Sequence, residues 1–262
     1  MISKQGGQPI EAPSLREVPL RGPRGVDDLE RALVDGQPLL LVLLTGVGAE
    51  LLVEGLCQTQ PRERVLALLA APTTSIVCRG PKPHAVLKQL GIKPALVVGE
   101  PNTWRDVLRE IDQHQLVQPR GFVQEYGKTN DELLRGLAER GVRDLRQVKT
   151  YEWTLPDDLE PLRAAIERIA RGDAEVALFT SGVQVTHLLR VATQLGLEQP
   201  LREGLARLVI ASVGPLTTEA LVAQGLAPDV EPEHPKLGHL MVALGGQGPQ
   251  KLAEKRGLGR AS

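Results

Sequence analysis

The chain has 262 residues, with 31 Lys+Arg against 32 Asp+Glu and a formal net charge of −1; 42% of it is hydrophobic and 24% charged. That composition excludes disorder, and the length suits two modest domains. Near-neutral charge and 2% aromatics argue against nucleic acid, an anionic membrane surface or a base-stacking role; no apolar run approaches the ~20 residues of a membrane span, and the start has no signal-peptide stretch.

Strand-like and helix-like runs alternate along the chain. An amphipathic helix is predicted over 26–34, then a continuous apolar strand over 39–44, of the kind covered on both faces. A helix at 48–56 follows, then a strand at 74–78, a helix at 84–90, a strand at 95–98 and a helix at 104–111. The strand at 121–124 and the helix at 131–140 come next, then a helix at 159–171, a strand at 176–179, a helix at 183–195, a strand at 208–211 and a helix at 217–224. This alternation means βα units and a mostly parallel sheet. Cys57 and Cys78 form no metal or disulfide framework, so they read as two thiols of a reducing cytoplasm.

The sequence repeats itself. Residues 80–94 and 214–228 both read Gly-Pro, five residues, Leu, three residues, Gly, two residues, Pro. Upstream of each lies a strand ending in a hydroxyl residue and glycine, Thr45-Gly46-Val47 and Ser181-Gly182-Val183. One βα-βα unit therefore occurs twice. Each copy puts small residues at helix starts, where backbone N–H groups can bind an anion. The same residues suit ordinary helix capping, and both readings stay open. A third pair is weaker: residues 6–13 and 139–151 each look like the end of a helix followed by a strand, but only the second has a full unit before it.

These residues resemble uroporphyrinogen-III synthase, a family matched here by order and spacing over roughly the whole chain. The matching features are Leu44-Thr45-Gly46-Val47-Gly48, Phe179-Thr180-Ser181-Gly182-Val183, Arg79-Gly80-Pro81-Lys82 and Val123-Gln124-Glu125-Tyr126-Gly127-Lys128. The approach from Gly141 to Tyr151 and the run Val213-Gly214-Pro215-Leu216-Thr217 complete the set. The resemblance implies an α/β fold of two flavodoxin-like lobes with parallel sheets, joined by a two-strand linker around a cleft. It puts 1–22 plus 155–254 in lobe 1, 23–150 in lobe 2, and a frayed basic tail at 255–262; the Pro-bearing stretches 19–23 and 151–156 would be the crossings. Family members carry a strand and most of a helix before the Gly-Gly-x-Pro-Ile segment, whereas this sequence opens at the helix end. That points to a translation start upstream of Met1; a chain truly starting there is expected to have a poorly stable lobe 1 and little activity.

The implied substrate is hydroxymethylbilane, a linear tetrapyrrole bearing eight carboxylates, which loses water and closes with its last ring inverted. No metal or cofactor is implied; the protein would be a cytoplasmic monomer, with the upstream deaminase as a partner. Helix-start amides could hold carboxylates without matching cations. The substrate-binding candidates are Thr45, Gly46, Val47, Arg79, Gly80, Lys82, Tyr126, Gly127, Lys128, Ser181, Gly182, Gly214 and Thr217. Arg79, Lys82 and Lys128 would add charge-assisted bonds, with a solvated surface as their plain alternative. Tyr151 is the catalytic candidate, its O–H donating to the departing hydroxyl as a weak acid; a buried structural tyrosine is the other reading. His84, His114, His187, His234 and His239 have no zinc-ligand spacing with the cysteines, and there is no Walker loop, nucleophile elbow or dinucleotide fingerprint. The rival reading is a non-catalytic tetrapyrrole-binding or regulatory module with the same fold.

Overall fold

The computed structural model describes residues 1–127 and 129–257, apart from the side chains of Arg21 and Tyr126. The chain divides into two compact units: a central one, Glu17–Trp153, and a split one made of Met1–Arg16 with Thr154–Ser262. Both are mixed α/β with parallel strand pairing.

The central unit runs β1 (Arg16–Arg24), α1 (Val26–Asp35), β2 (Leu39–Leu43), α2 (Gly46–Leu56), α3 (Arg62–Leu69), β3 (Thr74–Cys78), α4 (Pro81–Gln89) and β4 (Leu96–Val97). It continues through α5 (Trp104–Gln113), β5 (Arg120–Gly127), α6 (Asp131–Glu139) and β6 (Asp144–Thr154). Its six strands lie in the order β1-β6-β5-β2-β3-β4. Strand β2 is central: Leu41 sits opposite Ile76 of β3 and Phe122 of β5, both in parallel register. Its five residues are all buried because the two faces are both covered. Leu39, Leu41 and Leu43 meet Leu29, Leu52 and Leu87 of α1, α2 and α4. Leu40 and Val42 meet Val107, Ile111 and Leu137 of α5 and α6. Each such leucine contributes roughly 1.5–3 kcal/mol on leaving water. Helix α5 starts on a reciprocal cap in which Thr103 and Asp106 serve one another's backbone N–H. Burial pushes the Asp106 carboxyl up, but its bonds from Thr103 and Arg109 outweigh that and leave it below the usual carboxylate range.

The split unit runs α7 (Glu160–Arg171), β7 (Val176–Phe179), α8 (Gly182–Gln194), α9 (Glu198–Arg207), β8 (Val209–Ser212), α10 (Pro215–Val222) and α11 (Leu237–Lys255), with a 3-10 turn at Ile2–Gln5. Strands β7 and β8 form a two-stranded parallel sheet, and Ala211 of β8 also bridges to Val230. One face packs on α7, α8 and α9 through Leu162, Ile166, Val185, Leu189, Leu201 and Leu205. The other meets α11 through Leu240 and Met241.

The stretches 19–23 and 151–154 lie in strands β1 and β6, which pair in the central sheet, and the compact units divide at 16/17 and 153/154. Two other expectations need correction. Residues 6–13 do not supply a strand. The turn at Ile2–Gln5 ends on Gly6 in the left-handed region, φ 79°, as a helix end should, but the residues after it have no ladder to join. The basic tail is not frayed as far as Lys255, since α11 reaches that residue. The Lys255 ammonium meets Asp229 at 2.7 Å and donates to the Leu208 carbonyl at 2.9 Å. The rest of that tail, residues 258–262, lies outside the described residues. Asp158 serves the start of α7, its carboxylate accepting from the Glu160 N–H at 2.9 Å. Among the described residues no helix is long and apolar enough to cross a membrane, and no cluster of three metal-ligating side chains occurs.

Candidate functional site

The carboxyl ends of the parallel strands carry the matched turns, and in each unit the turn is built around helix-start N–H groups. In the central unit Thr45 caps α2, its Oγ1 accepting from the Gly48 N–H at 3.0 Å. Gly46 and Val47, the first two helical residues, have N–H groups with no protein acceptor among the described residues; Gly46 is half-buried and Val47 exposed. Below them Gln124, in the middle of β5, is fully buried, and its Oε1 accepts from the N–H groups of both Leu44 and Thr45 at 3.1 Å. Gly48 has no side chain because Gln124 occupies that space: a Cβ there would overlap the amide.

Tyr151, on β6, is 1% exposed. Its hydroxyl lies 3.2 Å from Thr45 Oγ1, so the tyrosine reaches the turn through the threonine. Thr45 itself is half-buried. If Thr45 Oγ1 accepts from Gly48 and from Tyr151, its own proton is left to point outward. The neighbouring helix start is less open. Gly80 before α4 is buried, and a Cβ on it would come 2.9 Å from Asn102 Oδ1. The Asn102 amide, in the orientation that satisfies it, donates to the carbonyls of Gly99, Val98 and Arg79 at 3.0, 2.9 and 3.1 Å. Lys82 is exposed on the first turn of α4, with its Cβ 3.4 Å from where a Cβ on Gly46 would sit; Arg79 is half-buried. Gly127 takes the left-handed conformation, φ 74°, with Trp153 close against it. Lys128 and the Tyr126 side chain lie outside the described residues.

The residue after Gln124 is the other polar group that the strand buries. Glu125 is 3% exposed, and its Oε1 has no hydrogen-bond partner. Burial pushes its carboxyl up, partly opposed by the Thr129 hydroxyl and by the charge of Lys149.

The split unit repeats the turn with different support. Thr180 and Ser181 send their N–H groups to Oε1 of Gln184, on the same helix, at 2.7 and 3.1 Å. Gly182 and Val183, half-buried, again offer N–H groups with no protein acceptor among the described residues. Gly182 allows α8 to lie against α10, since a Cβ would come 2.7 Å from that of Ala220. Gly214 is buried under Pro235, 2.6 Å from where its Cβ would be, and Thr217 is buried beside it. The polar atoms at this second start satisfy each other: Ser212 Oγ donates to the Gly214 carbonyl at 3.1 Å, and the Thr218 hydroxyl meets Ser212 Oγ at 2.9 Å. Within each unit, then, the structure gathers the hydroxyl-Gly and Gly-Pro turns at one sheet end, but only the hydroxyl-Gly turns remain open.

Gln124, Gln184 and Asn102 escape a reading of the sequence. Gln124 carries a signal, a polar residue inside an apolar strand run; the other two look like ordinary helix and loop residues.

Comparison with known proteins gives one consistent answer. A family model described as "Uroporphyrinogen-III synthase HemD" matches residues 1–241. The chain is 27% identical over 245 residues to the uncharacterized protein YjjA of Bacillus subtilis (strain 168), covering 93% of this chain and 88% of that protein. It is similar in structure to a mutant uroporphyrinogen III synthase from Thermus thermophilus, a selenomethionine derivative in its form-1 crystal, with TM-score 0.67, 28% identity, and 95% and 92% of the two chains covered. Against the wild-type form-2 crystal of that enzyme the TM-score is 0.50 at 29% identity, with the same coverage.

Proposed function

The chain belongs to the uroporphyrinogen-III synthase family, and from that premise we propose that it cyclises hydroxymethylbilane, with loss of water and inversion of ring D, to uroporphyrinogen III. The observation that carries the reading is the pair of open helix starts, Gly46-Val47 and Gly182-Val183, whose N–H groups lack protein acceptors among the described residues. Neutral amides at a helix start attract carboxylates through the helix dipole, and they do so without a matching count of cations. A polyanionic substrate and a chain of net charge −1 are compatible on those terms.

The leaving group is served by Thr45. Its outward proton is donated to the departing hydroxyl, and the Tyr151 hydroxyl behind it, 3.2 Å away, backs that donation. The C–O bond breaks, water leaves with the proton, and the electron-rich pyrrole supplies the electron density that the vacated carbon needs. The ring D α-carbon that already carries the chain attacks the vacated carbon. Its bond to the preceding bridge carbon breaks, and that bridge carbon rejoins ring D at the free α-carbon, which inverts the ring. The proton lost from that carbon returns to the Thr45 oxygen. Much of the acceleration comes from holding the chain folded for the inverted attack, so one weak acid helps without being indispensable. Tyr151→Phe is accordingly expected to lower kcat about tenfold, short of the ~10²-fold or more of a fully engaged general acid, with product affinity unchanged. The deciding experiment couples the purified chain to the preceding deaminase and separates the oxidised porphyrin isomers. Isomer III above the spontaneous isomer I supports the proposal. Isomer I alone overturns catalysis and leaves a tetrapyrrole-binding module.

A further inference from the structure

Acidic residues are unevenly spread over the helix starts. Among the described residues, α1, α3, α5, α6, α7 and α9 each carry an Asp or Glu in the first turn. An acid there offsets the positive end of the helix dipole and stabilises the helix. Helices α2, α4, α8, α10 and α11 carry none. The first four are the helices that the repeated turns open, and α11 begins two residues after Pro235, which covers Gly214 at the start of α10. A chain with 32 acidic residues has thus kept them away from the turns in particular.

Gln184 narrows the pattern to one side chain. It is the third residue of α8, and its Oε1 accepts from the Thr180 and Ser181 N–H groups at 2.7 and 3.1 Å. Glutamate fills the same place in a reciprocal cap and holds it more strongly, because a charged acceptor strengthens the bonds and suits the dipole. The amide half of Gln184 offers nothing that a carboxylate would lose, since among the described residues its Nε2 donates to no protein group. Gln124 in the central unit differs on that point. Its Nε2 donates to the Glu125 carbonyl, so a carboxylate there would set oxygen against oxygen. The amide of Gln124 is explained by its own contacts, and the amide of Gln184 is not.

What remains for Gln184 is its lack of charge. Gly182 and Val183, directly before it, offer the N–H groups that have no protein acceptor among the described residues. A carboxylate at 184 would neutralise the positive end of α8 from within, whereas the amide caps the turn and leaves that potential for an incoming anion. We infer that Gln184 is a positioning residue that sets affinity: it holds the Thr180-Ser181-Gly182 turn in shape while keeping the helix start free of negative charge. The inference rests on the proposed reading of Gly182-Val183 as a carboxylate site, and adds what sets the strength of that site.

The test is Gln184→Glu in the full chain, read by two measurements that should move in opposite directions. Calorimetry is expected to show the split unit melting about 1–3 °C higher, the gain from an acidic residue in the first turn. Uroporphyrin III, the oxidised octacarboxylate form of the proposed product, is titrated in and followed by its own fluorescence. Its Kd is expected to be about fivefold weaker at low salt, with the gap closing at high salt. Gln194→Glu, which adds the same charge at the exposed far end of α8, is expected to leave the Kd unchanged. Equal Kd values for wild type and Gln184→Glu overturn the inference and leave the carboxylate-site reading standing. A lower melting temperature for Gln184→Glu also overturns it, because the amide then serves the fold; an equal loss of affinity in Gln194→Glu does so by tracing the effect to net charge. No binding of uroporphyrin III by the wild type overturns the reading of the site and the inference together.

Discussion

The two hydroxyl-Gly turns have the same shape and are held in opposite ways. At Thr45 the two N–H groups before the helix are taken by Gln124, about 80 residues away on the neighbouring strand; at Ser181 they are taken by Gln184, three residues on in the same helix. The alignment of the two repeats explains the exchange. Gly48 and Gln184 occupy the same position, so one unit makes room for a glutamine from the sheet and the other supplies the glutamine itself. A turn tied to the sheet is as rigid as the sheet, whereas a self-capped turn keeps its shape whether or not a strand lies beside it.

The largest expected effect breaks this comparison at the sheet-tied turn. Gln124→Ala leaves two N–H groups without an acceptor in a buried site and is expected to cost about 3 kcal/mol, read from urea unfolding. Transplanting the other solution should repair it. Gly48→Gln combined with Gln124→Ala is expected to recover more than half of that loss, while Gly48→Gln alone collides with Gln124 and costs about 2 kcal/mol. Gly48→Ala with Gln124→Ala is the control, because it gains helix propensity without an acceptor.

At the self-capped turn the loss should be smaller. Gln184→Ala is expected to cost about 1 kcal/mol, because Thr180 is exposed and water can replace the amide. The smallest effect distinguishes the two by pH. The Glu125 carboxyl beside Gln124 is raised by burial, so between its ordinary value of 4.5 and its native one the folded state holds a proton that the unfolded chain has released. Stability is therefore greatest below that window and falls as pH rises through it. Glu125→Gln keeps an acceptor for Thr129 and removes the penalty, which should flatten the pH profile and raise Tm at pH 7 by about 2–4 °C. The split unit's turn has no such carboxyl at Gln184 and should show no matching window.

Much of this is legible before any contact is known. Strands β2, β3 and β7 follow from continuous apolar runs, and the repeat alone locates all four turns. Helix α9 is hidden by Pro200 and Gly204, yet the glycine is what lets it press on Ile169 of α7. Helix α11 continues through Gly245, Gly246, Gly248 and Pro249, residues that argue for a loop until its packing on β8 and its Lys255–Asp229 pair override them. At the site, the open helix starts follow from residue type alone. The burial of Tyr151 and of Gln124 does not, because both depend on register between strands far apart in sequence. The strand expected after Gly7 fails for the converse reason: local pattern can make a segment ready to pair, but only a neighbour makes it a strand.

The distribution of chromophores has a practical consequence. Trp104, Trp153, Tyr126 and Tyr151 all belong to the central unit, as do Cys57 and the buried Cys78, whose thiol is pushed up to about 12. Intrinsic fluorescence and thiol trapping thus watch one half of this molecule and are blind to the other. An optical melt that looks like a single clean transition reports the central unit alone, and the state of the split unit has to be read by calorimetry or by probes placed there on purpose.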